Sequence, residues 1–222
     1  MGYITKLDAI NNMMLAAGES LVADLDEASG IDTGIAEFIL EQTSLDYQMR
    51  GLANNKIVKK LVPNSSGIIY LPMKDDDEDG LISAVLLSTH SNDNGDQIIV
   101  RILETVPPKL WNITDDTDKF ATNQEYYVEI TKKLKWENID TTSQRSIMTT
   151  AMRNYQITTQ GDGDTDMFLA YQESVYSAKA KANDINSKRR NIFLTGDSTV
   201  RNAINRTPYS NDPSRFRYWR TS

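Results

Sequence analysis

Three places in this 222-residue chain carry side chains of the right type and spacing for chemistry. The run Asp75, Asp76, Asp77, Glu78, Asp79, Gly80 and Ile82 matches the first half of a calcium loop, where alternate carboxylates face a hard cation and a glycine makes the sharp turn. The twelfth position is Leu86, which cannot close the coordination sphere, so the run reads as a solvated acidic turn between strands and no metal site is assigned. The single histidine, His90, has no serine elbow beside it and no marked partner to orient it, and reads as a surface-loop residue. In the C-terminal stretch Arg201, Arg206, Arg215, Arg217 and Arg220 mix with Tyr209, Phe216, Tyr218 and Trp219. Such a mixture suits stacking on single-stranded nucleic acid. The same residue types anchor protein interfaces, and an arm that docks on a protein partner is expected.

Other chemistry is not marked. Carboxylates are plentiful, but nothing in their spacing selects a catalytic pair, and there is no phosphate loop, dinucleotide fingerprint or metalloprotease helix motif. The cluster Asp162, Asp164 and Asp166 stands where a helix would begin and reads as capping. We therefore expect a non-enzymatic protein without a cofactor. The absence of cysteine excludes disulfides, thiol catalysis and thiolate metal sites. No apolar run approaches the roughly 20 residues of a membrane helix, and the start shows no secretory apolar region, so synthesis in a cytoplasm and no membrane partner are expected.

The net charge of −7 hides a division. Residues 1–187 hold 16 Lys and Arg against 29 Asp and Glu, a net of −13, whereas residues 188–222 hold 8 against 2, a net of +6. An acidic body repels nucleic acid, and a basic tail seeks an acidic surface.

The elements that would position these groups follow from periodicity. Leu7, Ile10, Met14 and Ala17 recur at helical spacing before Gly18 and predict a helix over residues 4–17. Asp32 and Thr33 offer caps for a second, with Ile35, Ile39, Gln42, Leu45, Met49 and Leu52 as its stripe, ending near Arg50 and Gly51. From Pro63 to Trp136 short β-rich runs at residues 67–71, 84–87, 98–103, 110–113 and 126–130 alternate with turn clusters, including Asn92, Asp93, Asn94 and Gly95. Thr141, Thr142 and Ser143 cap a third helix with Ile147, Ala151 and Tyr155 on one side. A fourth, to about Arg190, carries Phe168, Gln172, Val175, Lys179, Ala182 and Asn186, with Ala178, Ala180 and Ala182 keeping it slim. The expected fold is α+β: a four-helix bundle with an inserted small antiparallel β domain and an extended C-terminal arm. The expected divisions are an N-terminal helical pair over 1–62, the β insertion over 63–138, a C-terminal helical pair over 139–193 and a basic arm over 194–222.

The opening Ala9, Ile10, Asn11, Asn12, Met13, Met14, Leu15, Ala16, Ala17, Gly18 and Glu19, followed by Val22 and Leu25, resembles the tail tubular protein A family of short-tailed phages. That family begins with an Ala-Val-Asn helix running into a Gly-Glu break. Ala36, Ile39, Leu40, Arg50, Gly51 and Asn55 continue the match, although Leu52 replaces a common tryptophan and Ser20 and Leu21 replace prolines. The resemblance implies a virion structural protein of the phage tail: a ring, dodecameric in this family, joining the portal protein to the tail nozzle protein and passing viral DNA without binding it specifically. On that reading the portal-binding arm holds Arg201, Arg206, Arg215, Phe216, Arg217, Tyr218, Trp219 and Arg220, and the acidic turn with Asn92 to Gly95 forms the nozzle-docking loops. The alternative is a calcium- or carbohydrate-binding virion accessory module built on the β insertion.

Overall fold

The computed structural model describes residues 4–25, 30–72, 78–87 and 97–194. Its helices are α1 (Lys6–Ala16), α2 (Ile31–Met49), α3 (Thr141–Thr159) and α4 (Gly163–Leu194). Its strands are β1 (Lys56–Leu61), β2 (Glu78–Leu86), β3 (Val100–Leu103), β4 (Lys109–Asn112) and β5 (Tyr126–Leu134), so the fold is α+β with the strands between two helical pairs in sequence.

Helix α1 starts in a capping box. Thr5 Oγ1 accepts from the Asp8 N–H at 3.0 Å, and Asp8 accepts in return from the Thr5 N–H at 3.0 Å, satisfying two donors that the first turn leaves free. The helix stops at Gly18, whose φ of +68° lets the Glu19 N–H reach the Met14 carbonyl at 2.9 Å. Ile10, Met14 and Ala17 are buried as their spacing predicts, and so are Ile147, Ala151 and Tyr155 of α3. Helices α1, α2 and α3 pack on one another.

The fourth helix is held differently: it runs chiefly along α3. Only Leu169 and Ala180 among its described residues are fully buried apolar groups, and Phe168, expected on its packing stripe, is 61% exposed. Polar ties make up the difference. Arg153 of α3 grips Asp166 at 2.6 and 3.2 Å and reaches Glu173 at 3.1 Å, while Thr150 donates to Glu173 at 2.9 Å.

Helix α2 corrects two expectations. It is capped by Gly30, not by Asp32 or Thr33, and Thr33 is buried against Met14. The face it buries is small and polar, with Thr33, Ala36, Thr43, Ser44 and Gln48 beside Leu40 and Tyr47. Ile31, Ile35, Phe38 and Met49 point outward instead.

Strand β5 is the middle of a three-stranded antiparallel sheet ordered β1-β5-β2, and β3 pairs with β4 in a separate ribbon. Tyr126, Val128 and Ile130 alternate inward from β5 onto a core with Ile69, Leu71, Val100 and Leu110. Strand β1 lies upstream of Pro63, in the stretch expected to belong to the helical pair. The predicted run at residues 67–71 buries Ile69 and Leu71 but forms only a bridge from Tyr70 to Lys109.

Helix α3 gives a pH-dependent prediction. Asp140 caps it by accepting from the Thr142 and Ser143 N–H groups, both at 3.1 Å. Burial pushes the Asp140 carboxyl up, but the hydrogen bonds from Ser143 and Thr142 outweigh it and hold the group below the usual carboxylate range. A depressed pKa in the folded state gives stability that is present above the unfolded value, about 3.9, and is lost as pH falls through the folded value. Asp140→Ala is expected to lower stability by about 1 kcal/mol at pH 7. In urea titrations repeated at decreasing pH, that difference should narrow below about pH 4.

Candidate assembly surfaces

The residues behind the sequence resemblance build two joints. In the first, the Asn11 side chain pairs with the Val22 backbone, donating to its carbonyl and accepting from its N–H, both at 2.9 Å. The Tyr155 hydroxyl donates to Glu19, and the Gln160 amide donates to the Ala17 carbonyl. Burial and the neighbouring Glu19 carboxylate push the Tyr155 phenol well above its ordinary range, so it is a permanent donor. The Asn and Gly-Glu motif is thus a lock that closes the chain after α1 onto α3.

The second joint ties the helices to the sheet. Gln48, at the end of α2, is fully buried and meets β5 as a strand would: its Oε1 accepts from the Leu134 N–H at 2.7 Å and its Nε2 donates to the Leu134 carbonyl at 3.2 Å. Asn55, also fully buried, accepts from the Leu52 N–H at 2.7 Å and donates to the Gln48 carbonyl at 3.0 Å. The Asn55 carbonyl accepts from the Lys132 N–H at 2.8 Å. Gly51 makes the intervening turn with a φ of +74°.

Outside these joints the described surface carries apolar groups in two ordered rows. On α2, Ile31, Ile35, Phe38, the partly buried Leu45 and Met49, interrupted by the polar Gln42, follow alternating steps of four and three, the spacing of a coiled-coil seam. On α4, Phe168, Tyr171, Val175, Ala178, Ala182 and Ile185 do the same in steps of three and four. Both seams face away from α3: Ile31, Phe38 and Met49 are each more than half exposed, and so are Phe168 and Tyr171. A third, smaller patch lies on the outer face of the sheet, where Val58 and Val85 flank Glu129 and Tyr127 is half exposed.

The sites predicted from sequence fall mostly elsewhere. Asp75, Asp76, Asp77, His90, Asn92, Asp93, Asn94, Gly95 and the arm residues Arg201, Arg206, Arg215, Phe216, Arg217, Tyr218, Trp219 and Arg220 lie outside the described residues. Glu78 and Asp79 open strand β2, and this strand runs to Leu86 paired with β5, so the second half of the calcium-loop pattern is extended ladder. Among the described residues no group of three or more acidic or histidine side chains could hold a metal ion. Asp162 caps the start of α4, accepting from the Thr165 N–H at 3.1 Å.

Compared with known protein families, the chain matches the model of the tail tubular proteins over residues 7–191. The chain belongs to the tail tubular protein family. It is a structural component of the phage tail and of the virion. No curated protein matches it. In this tail tubular protein the matched span takes in both joints and both seams. The seams are apolar rows on rigid helices that no other described part of the chain covers, as expected of a subunit that works by assembling.

Proposed function

We propose that this tail tubular protein is the head-to-tail adaptor of a short-tailed phage, forming a ring, of twelve copies on the family resemblance, that joins the portal to the tail nozzle and lines the DNA exit channel. The observation that carries this reading is the family match over residues 7–191. The two outward seams support it, because a closed ring needs two different patches on every subunit. The acidic body over residues 1–187 suits a channel wall, since repulsion of phosphate lets a duplex slide without sticking. In this reading the basic, aromatic stretch after Leu194 docks on the portal, and the turns at Asp75 to Asp79 and Asn92 to Gly95 meet the nozzle.

Imaging of the full chain mixed with its portal tests the proposal: a ring of this protein on the portal is expected, and portals without one would sink it. Truncation after Leu194 should leave a folded protein that fails to join portals. Trp219→Ala should weaken the complex by about 2 kcal/mol if the aromatic anchors the arm, as interface tryptophans do. A truncated protein that binds as well as the full chain would move the head-side contact to the helices.

A further inference from the structure

We infer that the subunit contact is a helix-to-helix seam in which α4 of one copy packs on α2 of the next. This deepens the ring reading above and rests on it. Three observations commit the occupant of each seam to a second copy of this chain.

The seams match in length and pitch. From Ile31 to Met49 the α2 row spans about 27 Å, and from Phe168 to Ile185 the α4 row spans about 26 Å, at 1.5 Å per residue. Both use the three-and-four spacing that interdigitates with another helix of the same spacing.

They are also complementary in charge. The positions beside the α2 seam carry Asp32, Glu41 and Asp46, and Glu41 already holds Lys6 at 2.9 Å. Those beside the α4 seam carry Lys179 and Lys181, both exposed. Pairing α2 with α2 would set acid against acid, and pairing α4 with α4 base against base; only the mixed pairing sets opposite charges along both flanks. Side-chain size agrees: the α4 row narrows at Ala178 and Ala182, where the bulkier Phe38 and Leu45 of α2 can enter.

The third observation is placement. Helices α2 and α4 both lean on α3 and make little contact with each other, so neither seam covers the other within a chain. One subunit therefore presents two unlike, complementary rows, the head-to-tail arrangement that closes into a ring when the rotation allows.

The chain has no cysteine, which makes the test clean. Phe38→Cys and Ala178→Cys are placed together in the full chain, assembled on portals and treated with a flexible bismaleimide. A ladder of dimers, trimers and higher multimers is expected from the double variant and none from either single variant. A second arm avoids reliance on one register. Lys179→Glu with Lys181→Glu should cut ring occupancy about tenfold, and adding Asp32→Lys with Asp46→Lys should restore most of it. If rings form but show no ladder and ignore the charge reversal, the seam pairing is overturned while the ring reading stands. Portals bearing no ring in the unaltered control would remove both.

Discussion

Urea unfolding of Gln48→Leu is expected to show a loss of about 3 kcal/mol, near the top of the range for a buried hydrogen-bonding group removed from its partners. Leucine has nearly the same volume, so no cavity forms and the packing term stays small. What is lost is specific. The Leu134 N–H and carbonyl both lose their partner on α2, and the amide is left without an acceptor at a site where Gln48 is fully buried. Gln48→Ala should cost at least as much, because it adds a void to the same orphaned groups. A result within 0.5 kcal/mol of the parent, about the scatter of ordinary surface changes, would mean that water replaces the amide and that the joint is softer than its geometry indicates.

Ile10→Ala should destabilise the isolated chain by about 3 kcal/mol, whereas Phe38→Ala should change it by less than about 0.5 kcal/mol. Ile10 is fully buried in the helical core with Met13, Leu40 and Ile147, and its truncation leaves a hole among α1, α2 and α3. Phe38 is the larger side chain but is 63% exposed on the α2 seam, so little burial is lost. Thermal or urea melts of the free subunit settle the comparison. The effects are inverted: the larger loss of carbon atoms has the smaller effect on the fold, and on the ring reading proposed above any cost appears in assembly.

The same inversion explains where sequence reading succeeds and where it does not. The helical stripes of α1 and α3 are legible because Ile10, Met14, Ala17, Ile147, Ala151 and Tyr155 face the subunit's own core, the condition under which periodicity reports burial. The stripe of α2 is legible as a helix but misleading as to its face. Ile35, Leu45 and Met49 mark the seam, while Thr33, Ser44 and Gln48 turn inward to make hydrogen bonds that no hydropathy pattern announces. On α4 a stripe drawn through Phe168 and Lys179 mixes the two faces, since burial runs through Leu169 and Ala180. Strand β1 is hidden by three lysines, and its extended state comes from pairing with β5 some seventy residues away, which local propensity cannot see. Of the joints, Asn11, Gly18, Glu19, Arg50, Gly51 and Asn55 stand out through resemblance to a family; of their partners, Tyr155 is marked only as part of the α3 stripe, and Gln48 and Gln160 carry no sequence signal of their own.

The Gln48 and Asn55 joint has a mechanical meaning. Three hydrogen bonds join the end of α2 and its following turn to the last residues of β5, two more tie Asn55 to Leu52 and Gln48, and the linker between α2 and β1 runs through a turn fixed by Gly51. The sheet cannot pivot on α2 at this joint without stretching several of these bonds at once, so the joint is stiff. A twist or thrust applied at the sheet therefore travels through this joint to α2 as torque on a stiff lever, and any compliance needed while the tail works must come from outside the joint.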